Sequence, residues 1–370
     1  MTGTILVINP GSSTLKLGLL AQDGKVLRQG TLAAGNPGTA IDEFLAGAAP
    51  PAAYGVRVVH GGTRLRAATA VDSDILNSLA EVSNLAPLHN LPAVAAMRHL
   101  LGNHPKVPVV ACFDTAFFAH LPEAAATYAI PWRWTEEWGI RRFGFHGLSH
   151  AYACRRAAEI LGRDVSALRT VTCHLGAGAS LAAVRGGTPV DTTMGFTPME
   201  GLVMATRSGS VDPGALLWVQ REKELSAGEM EQALDRESGL LGISGVGAGM
   251  SEVLGAEREG NRRAALAIEV YLHRLRGLIA SMTAAMGGLD ALVFTGGVGE
   301  NVSEIRSRSV AGLEFLGIAI DEDANRAATS DSEVSSGDSQ VKTLVVASRE
   351  DLEMAREVRA VLGWSQASVP

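Results

Sequence analysis

One pattern recurs in this chain and limits its fold more than any other feature. Ile5–Ile8 is a short apolar run closed by the turn Asn9-Pro-Gly-Ser-Ser13. Leu15–Leu20 is a second run, Asp23-Gly24 a second turn and Val26–Leu32 a third run. Apolar runs of this length between turn residues read as strands. The same plan returns at Thr170–Cys173, the turn His174-Leu-Gly-Ala-Gly178, Ser180–Val184, the turn Gly186-Gly187 and Thr188–Asp191. The residues of the two copies barely match. The pattern therefore implies a duplicated architecture, one copy per domain.

The remaining segments alternate helix and strand. Residues 33–55 read as loop with a short helix around Ile41–Leu45, followed by a strand over Val56–Val59. Asp72 or Ser73 is placed to cap a helix with apolar Ile75, Leu76, Leu79 and Val82. Val107–Cys112 reads as a strand buried on both faces. His150–Leu161 and Asn261–Met286 carry helical spacing. Ala291–Phe294 is a strand that runs into Thr295-Gly-Gly-Val-Gly-Glu-Asn301. Residues 329–340 read as a surface loop, Leu344–Ala347 as a last strand, and Ser348 as the cap of a final helix. Strands alternating with helices place the chain in the α/β class. Its 370 residues exceed the ~250–300 that one core usually holds, so two domains are expected.

Composition excludes several function classes. With 46% hydrophobic and 19% charged residues the chain is globular rather than disordered. A formal net charge of −7 argues against nucleic-acid or anionic-membrane partners. No apolar stretch reaches the ~18 residues of a membrane span, and Met-Thr-Gly-Thr before Ile5 does not read as a signal peptide. Cys112, Cys154 and Cys173 have no paired spacing and form no zinc motif, so a reducing cytoplasm is the expected location.

Three strand ends carry small turns, at 9–13, 174–178 and 295–301. Successive backbone N–H groups in such turns form anion nests, and glycine lets a ligand approach them. Together they suggest a nucleotide held between two domains. The Gly-x4-Gly-Lys-Ser/Thr loop and the full Gly-x-Gly-x-x-Gly spacing are both absent, so any nucleotide is bound by another scaffold.

Eight segments, in order along the chain, resemble the acetate kinases and their short-chain acyl kinase relatives. They are Asn9-Pro-Gly-Ser-Ser-Thr-Leu-Lys16, Arg57-Val-Val-His-Gly-Gly62, Ala86-Pro-Leu-His-Asn90, Cys112-Phe-Asp-Thr-Ala-Phe117, Phe143-Gly-Phe-His-Gly-Leu-Ser-His150, Asp191-Thr-Thr-Met-Gly-Phe-Thr-Pro-Met-Glu-Gly201, Thr206-Arg-Ser-Gly209 and Phe294-Thr-Gly-Gly-Val-Gly-Glu-Asn301. The resemblance implies two duplicated ribonuclease H-like domains, of the sugar kinase, Hsp70 and actin type, around a nucleotide cleft. It implies an acyl-side domain over residues 1–145, completed by a C-terminal helix over 348–370, and a nucleotide-side domain over 146–347. It also implies a homodimer, ATP and ADP as co-substrates, acetate or another short-chain carboxylate as acceptor, and Mg²⁺, with Mn²⁺ as a substitute.

Phosphoryl transfer to a carboxylate needs no general base, because carboxyl pKa values sit at roughly 4. The obstacle is repulsion between two anions, which cations and aimed donors must offset. By resemblance Arg57 meets the acyl carboxylate. Arg207 and His146 stabilise the transferring phosphoryl group, and Asp114 orients the site near the metal. Asn9 and Glu350 are the Mg²⁺-associated positions, acting through water. Val59, Leu88, Phe145 and Pro198 line the acyl pocket. Lys16, His174, Leu175, Gly176, Ala177, Gly178, Gly249, Met250, Ser251, Gly297, Val298, Gly299, Glu300 and Asn301 face the nucleotide. His89 and His174 are supporting groups. His146 and His150 share a spacing of four, but Gly147 stands where a zinc motif would need Glu, so His150 is expected to be structural.

Four positions depart from the family pattern. Ala177 replaces an Asn, Gly249 and Ser251 replace an Asp and an Arg, and Arg349 replaces an Asn. All fall on the nucleotide side. They leave GTP or pyrophosphate open as donors, beside ATP. Propionate and butyrate remain open as acceptors, as does a non-catalytic nucleotide-binding homologue.

Overall fold

The computed structural model describes residues 3–11, 14–33, 35–85 and 87–365, and of residues 84, 85 and 87–89 the backbone alone. The chain forms two compact units. The first comprises Met1–Ala119, Phe145–Tyr152 and Arg349–Pro370; the second comprises His120–Gly144 and Ala153–Ser348.

Among the described residues the first unit has a six-stranded mixed sheet. Its strands are β1 (Ile5–Pro10), β2 (Thr14–Leu20), β3 (Val26–Ala33), β4 (Ala53–Val58), β5 (Thr69–Ala70) and β6 (Val109–Phe113), in the order β3-β2-β1-β4-β6-β5. β1 to β3 form an antiparallel meander, β4 and β6 continue the sheet parallel to β1, and β5 closes it antiparallel.

Strand alternation sends successive residues to opposite faces. Leu6 and Ile8 therefore join one core with Ile41, Phe44, Leu79 and Met97, from the helices Pro37–Leu45, Ser73–Glu81 and Pro87–Asn103. Ile5 and Val7 join the other with Met354, Ala355 and Val358 of the helix Glu350–Val361. The last helix belongs to the first unit because of this second core. At Gly55 a Cβ would stand 2.9 Å from Val358, so only glycine allows so close an approach.

The second unit repeats the plan. β7 (Arg169–Leu175), β8 (Ala179–Arg185), β9 (Thr188–Thr192), β10 (Ala291–Thr295), β11 (Ser332–Glu333) and β12 (Lys342–Val345) run in the order β9-β8-β7-β10-β12-β11. Strand directions correspond one for one with those of the first sheet. The duplication read from the two turn-and-strand patterns is thus a duplication of sheet topology. The helix Arg262–Met286 packs against this sheet. Asn261 caps its start by accepting from the N–H groups of Arg263 and Ala264.

Several boundaries differ from expectation. The strand expected over Val56–Val59 starts at Ala53, and the helix expected from His150 starts at Gly147. Ser348 does not cap the final helix. Its N–H donates to Glu300 Oε1 at 2.9 Å, and the helix begins without a side-chain cap. The loop 329–340 contains the two-residue β11 at the edge of its sheet.

The units also divide the chain differently from the expected junction at 145/146. Residues 120–144 join the second unit: Phe143 N–H donates to Gly195 O at 3.0 Å, and Arg142 pairs with Glu200 at 2.9 Å. Residues 145–152 join the first, where Leu148 enters the core beside Val110 and Cys112. Among the described residues no helix is long and apolar enough to cross a membrane.

Candidate active site

In the first unit, β1, β4 and β6 are parallel neighbours, so their C-terminal ends lie side by side. Ligands of open α/β sheets gather at such ends. β1 presents Asn9 there, β4 presents Arg57, and Asp114 follows the last residue of β6. Arg57 donates from Nε to Asp114 Oδ1 at 2.9 Å and from Nη2 to Oδ2 at 2.6 Å. Its Nη1 donates to Asn9 Oδ1 at 3.0 Å, and Asn9 Nδ2 donates to Glu350 Oε2 at 2.9 Å. Glu350 opens the last helix, with Oε2 3.8 Å from Arg57 Nη1. Four sequence-expected residues are thus brought into one connected group.

Burial opposes the charge on Arg57, but Asp114 and Glu350 outweigh it and hold the guanidinium above its ordinary value. Asp114 is wholly buried, and burial pushes its carboxyl up while Arg57 works against that. The bidentate pair uses one N–H on Nε and one on Nη2, and Asn9 takes one on Nη1. Each Nη carries a second N–H, which gives Arg57 the means to grip a further anion.

His146 is tied to the same carboxylate. Its backbone N–H hydrogen-bonds to Asp114, and Gly147 N–H donates to Asp114 O at 3.1 Å. A Cβ at Gly147 would stand 2.0 Å from that oxygen, so the contact requires glycine. His146 itself has φ 56, in the left-handed region. An L-residue pays about 1–2 kcal/mol to sit there, and such strain gathers at functional positions. His150 lies a turn further on, wholly buried, with its ring edge-on to Phe118. Phe145 is buried with its ring edge-on to His60 at 5.4 Å, and Val59 is buried. Leu88 and His89 lie in the helix Pro87–Asn103, with side chains outside the described residues, as are Ser12 and Ser13 of the first turn. Lys16 is exposed on β2 and pairs across the hairpin with Asn9, so both side chains leave the same face of the sheet.

In the second unit Arg207 donates from Nε to Asp235 Oδ1 at 2.8 Å and from Nη1 to Pro198 O at 3.3 Å. Asp235 was not legible in the sequence. It lies 28 residues away in a helix of ordinary charged composition.

The turn 174–178 and the segment 296–301 are brought together, because Thr295 of β10 pairs in parallel with His174 of β7. Gly296 has φ 78, and a Cβ there would lie 2.8 Å from Leu175 O. Gly297 is exposed over open space. Glu300 accepts from Gly296 N–H at 3.0 Å as well as from Ser348. Asn301 Nδ2 donates to Gly297 O at 2.9 Å. Beneath them the buried Arg306 donates from Nη1 to the carbonyls of Gly299 and Glu300, and is anchored by Asn325. That buried arginine was missed by the sequence reading, as its short helix is rich in polar residues and nothing local marks Arg306 as buried. Leu175 and Met250 are buried, so only their backbones can meet a ligand. Gly249 precedes the helix Met250–Arg258, and Ser251 lines an open cavity of about 560 Å³ with Val246, Glu252 and Asn261.

Residues 45–356 match the Acetokinase family. The acetate kinase of Cyanothece sp. (strain PCC 7425 / ATCC 29141) is 47% identical over 309 residues, covering 83% of this chain and 75% of that relative. The chain belongs to the acetokinase family. Membership makes it a phosphotransferase. The crystal structure of Porphyromonas gingivalis acetate kinase superposes with a TM-score of 0.89 at 35% identity, covering 97% of this chain and 99% of that one. A propionate kinase from Francisella tularensis gives 0.88 at 34% identity, covering 96% and 99%. The paired six-stranded sheets are therefore the acetokinase fold.

Proposed function

We propose that this chain transfers the γ-phosphoryl group of ATP to acetate, reversibly, giving acetyl phosphate and ADP. Family membership supports the reaction class. The observation within the molecule that carries the reading is Arg57, fixed by a buried carboxylate with N–H groups to spare for an anion.

Acetate is already ionised at neutral pH. One carboxylate oxygen bonds to phosphorus as the bond from phosphorus to the β,γ-bridging oxygen breaks, and no proton moves. Arg57 holds the carboxylate, and the buried Asp114 keeps the guanidinium fork from turning toward solvent. Val59, Leu88, Phe145 and Pro198 would give the methyl group an apolar wall. Arg207, steadied by Asp235 and Pro198 O, and His146 would donate to the equatorial oxygens of the phosphoryl group in flight. Charge-matched donors of this kind act most strongly in the transition state.

Asn9 and Glu350 would hold Mg²⁺, or Mn²⁺ in its place. The Asn9 amide oxygen, which also accepts from Arg57, and the Glu350 carboxylate are hard oxygen donors that would meet the ion through its waters, most of which Mg²⁺ keeps in such sites. The ion supplies positive charge to the phosphate oxygens when bound. Lys16, the turn 174–178 and residues 297–301 would cradle phosphates and ribose, with Gly249, Met250 and Ser251 toward the base. The three free, buried cysteines agree with a cytoplasmic enzyme. A homodimer is proposed on the family's example, and light scattering tests it.

Propionate is the second reading, because the Francisella propionate kinase is as similar in fold as the Porphyromonas acetate kinase. One methylene separates the acids by only ~1–3 kcal/mol. Trapping acyl phosphate with hydroxylamine decides among acetate, propionate and butyrate with ATP, GTP or pyrophosphate as donor. The proposal expects the highest kcat/KM with acetate and ATP. Absence of acyl hydroxamate with every donor would leave a non-catalytic homologue.

A further inference from the structure

Asp42, His99 and His104 converge at a place that takes no part in the chemistry above. Asp42 projects from the helix Pro37–Leu45, His99 from the helix Pro87–Asn103, and His104 follows that helix directly. Nε2 of His99 lies 2.9 Å from Asp42 Oδ1, and Nε2 of His104 lies 3.5 Å from the same oxygen. One ligand atom from each residue lies within 4.8 Å of the other two. A tetrahedral ion with bonds of about 2.0–2.1 Å sets its ligand atoms about 3.4 Å apart. Two of the three edges are already near that length.

The surroundings are shaped to the cluster. A Cβ at Gly38 would stand 2.4 Å from His99 Nδ1, so the imidazole is seated against bare backbone. Asn103 Nδ2 lies 3.0 Å from His99 Nδ1 and 3.3 Å from Nε2. His104 packs its ring edge-on to Tyr54 at 5.6 Å. Tyr54 is wholly buried, and its hydroxyl has no hydrogen-bond partner among the described residues. A buried phenol without a partner is costly, and a water on an ion held by the cluster would supply one.

We propose that Asp42, His99 and His104 form a binding site for a divalent transition-metal ion of the Zn²⁺ class. The ion takes one carboxylate oxygen and two imidazole nitrogens, completes its shell with water and clips the two helices together. Two imidazoles select against Mg²⁺, which prefers oxygen donors, so this site and the phosphoryl-transfer metal are chemically distinct.

The test uses the full-length, metal-free protein in excess Mg²⁺, titrated with Zn²⁺ by equilibrium dialysis and with Co²⁺ by visible absorption. The wild-type chain is expected to take up about one Zn²⁺ and to show a tetrahedral Co²⁺ spectrum that Zn²⁺ displaces. His104→Gln and Asp42→Asn should each weaken uptake at least ~10-fold, since even second-shell changes cost roughly 10–100-fold. Both variants should keep wild-type kinase activity with Mg²⁺ and lose the rise in Tm that Zn²⁺ gives the wild type. Equal Zn²⁺ uptake by wild type and both variants would overturn the site, as would an octahedral or absent Co²⁺ spectrum in the wild type. The wild-type spectrum decides the matter even if a variant folds poorly.

Discussion

Arg57 donates to both carboxylate oxygens of Asp114, and Asp114 is wholly buried while the Arg57 side chain stays 15% exposed. The pair works in one direction. Without Asp114, Arg57 keeps its charge but loses its orientation, and the His146 N–H loses its acceptor. Asp114→Ala should therefore lower kcat/KM for acetate by roughly 10²-fold, the scale of a misplaced binding group. It should also destabilise the fold by about 3–5 kcal/mol, because a buried ion pair is broken from one side. Steady-state kinetics and denaturant melts measure the two effects separately.

Arg57→Ala separates binding from catalysis. If Arg57 mainly holds the acyl carboxylate, KM for acetate rises more than kcat falls, and KM for ATP changes little. Loss of kcat alone would assign Arg57 to the phosphoryl group instead.

Arg207 is held by Asp235 at 2.8 Å, and the same reasoning applies. Arg207→Ala should lower kcat by roughly 10²–10³, the usual cost of removing a donor to developing charge. Asp235→Ala should have a smaller effect in the same direction, and Asp235→Asn should restore part of it by keeping an acceptor for Nε. An unchanged kcat with a raised KM for ATP would make Arg207 a ground-state binding group.

His146 sits at φ 56. His146→Gly and His146→Ala both lack the imidazole, so their difference isolates the backbone. The glycine variant should be more stable by about 1 kcal/mol, as it adopts this conformation without a Cβ clash. Both should lose activity alike. Equal stabilities would show that the left-handed conformation costs nothing here.

Glu357 is half-buried in the last helix beside Glu353, Arg356 and Cys112, and its Oε2 is shut off from solvent with no partner among the described residues. Burial, then Glu353, push its carboxyl from 4.5 up to about 8, although Cys112 and Arg356 pull the other way. The folded state thus holds a proton that the unfolded chain releases near 4.5. Stability from this group is present below that value and is lost as pH rises toward about 8, by up to about 1.4 kcal/mol per pH unit. Glu357→Gln should remove this fall, giving a Tm above wild type near pH 9 and close to it near pH 5. Parallel Tm curves for the two proteins would assign the titration elsewhere.

The sheets were legible because strand burial leaves a local record. Runs such as Ile5–Ile8 and Ala291–Phe294 are apolar throughout, since central strands are covered on both faces. Asp72 was legible as one of two candidate caps because capping is a contact between close neighbours in sequence. Ser348 was misread by the same logic: its N–H turned to Glu300, 48 residues away, which no local pattern records.

The site divides in the same way. Motifs made Asn9, Arg57, Asp114, His146, Arg207 and Glu350 legible as candidate site residues, and the same motifs pointed to the family to which the chain belongs. Only the tertiary structure decided that Asp114 grips Arg57, that Asp235 steadies Arg207, and that Asp42 meets His99 of another helix and His104 just beyond its end. Those partners are joined by folding across tens of residues. Such contacts depend on where strands and helices pack, and a linear pattern carries information about packing only between near neighbours.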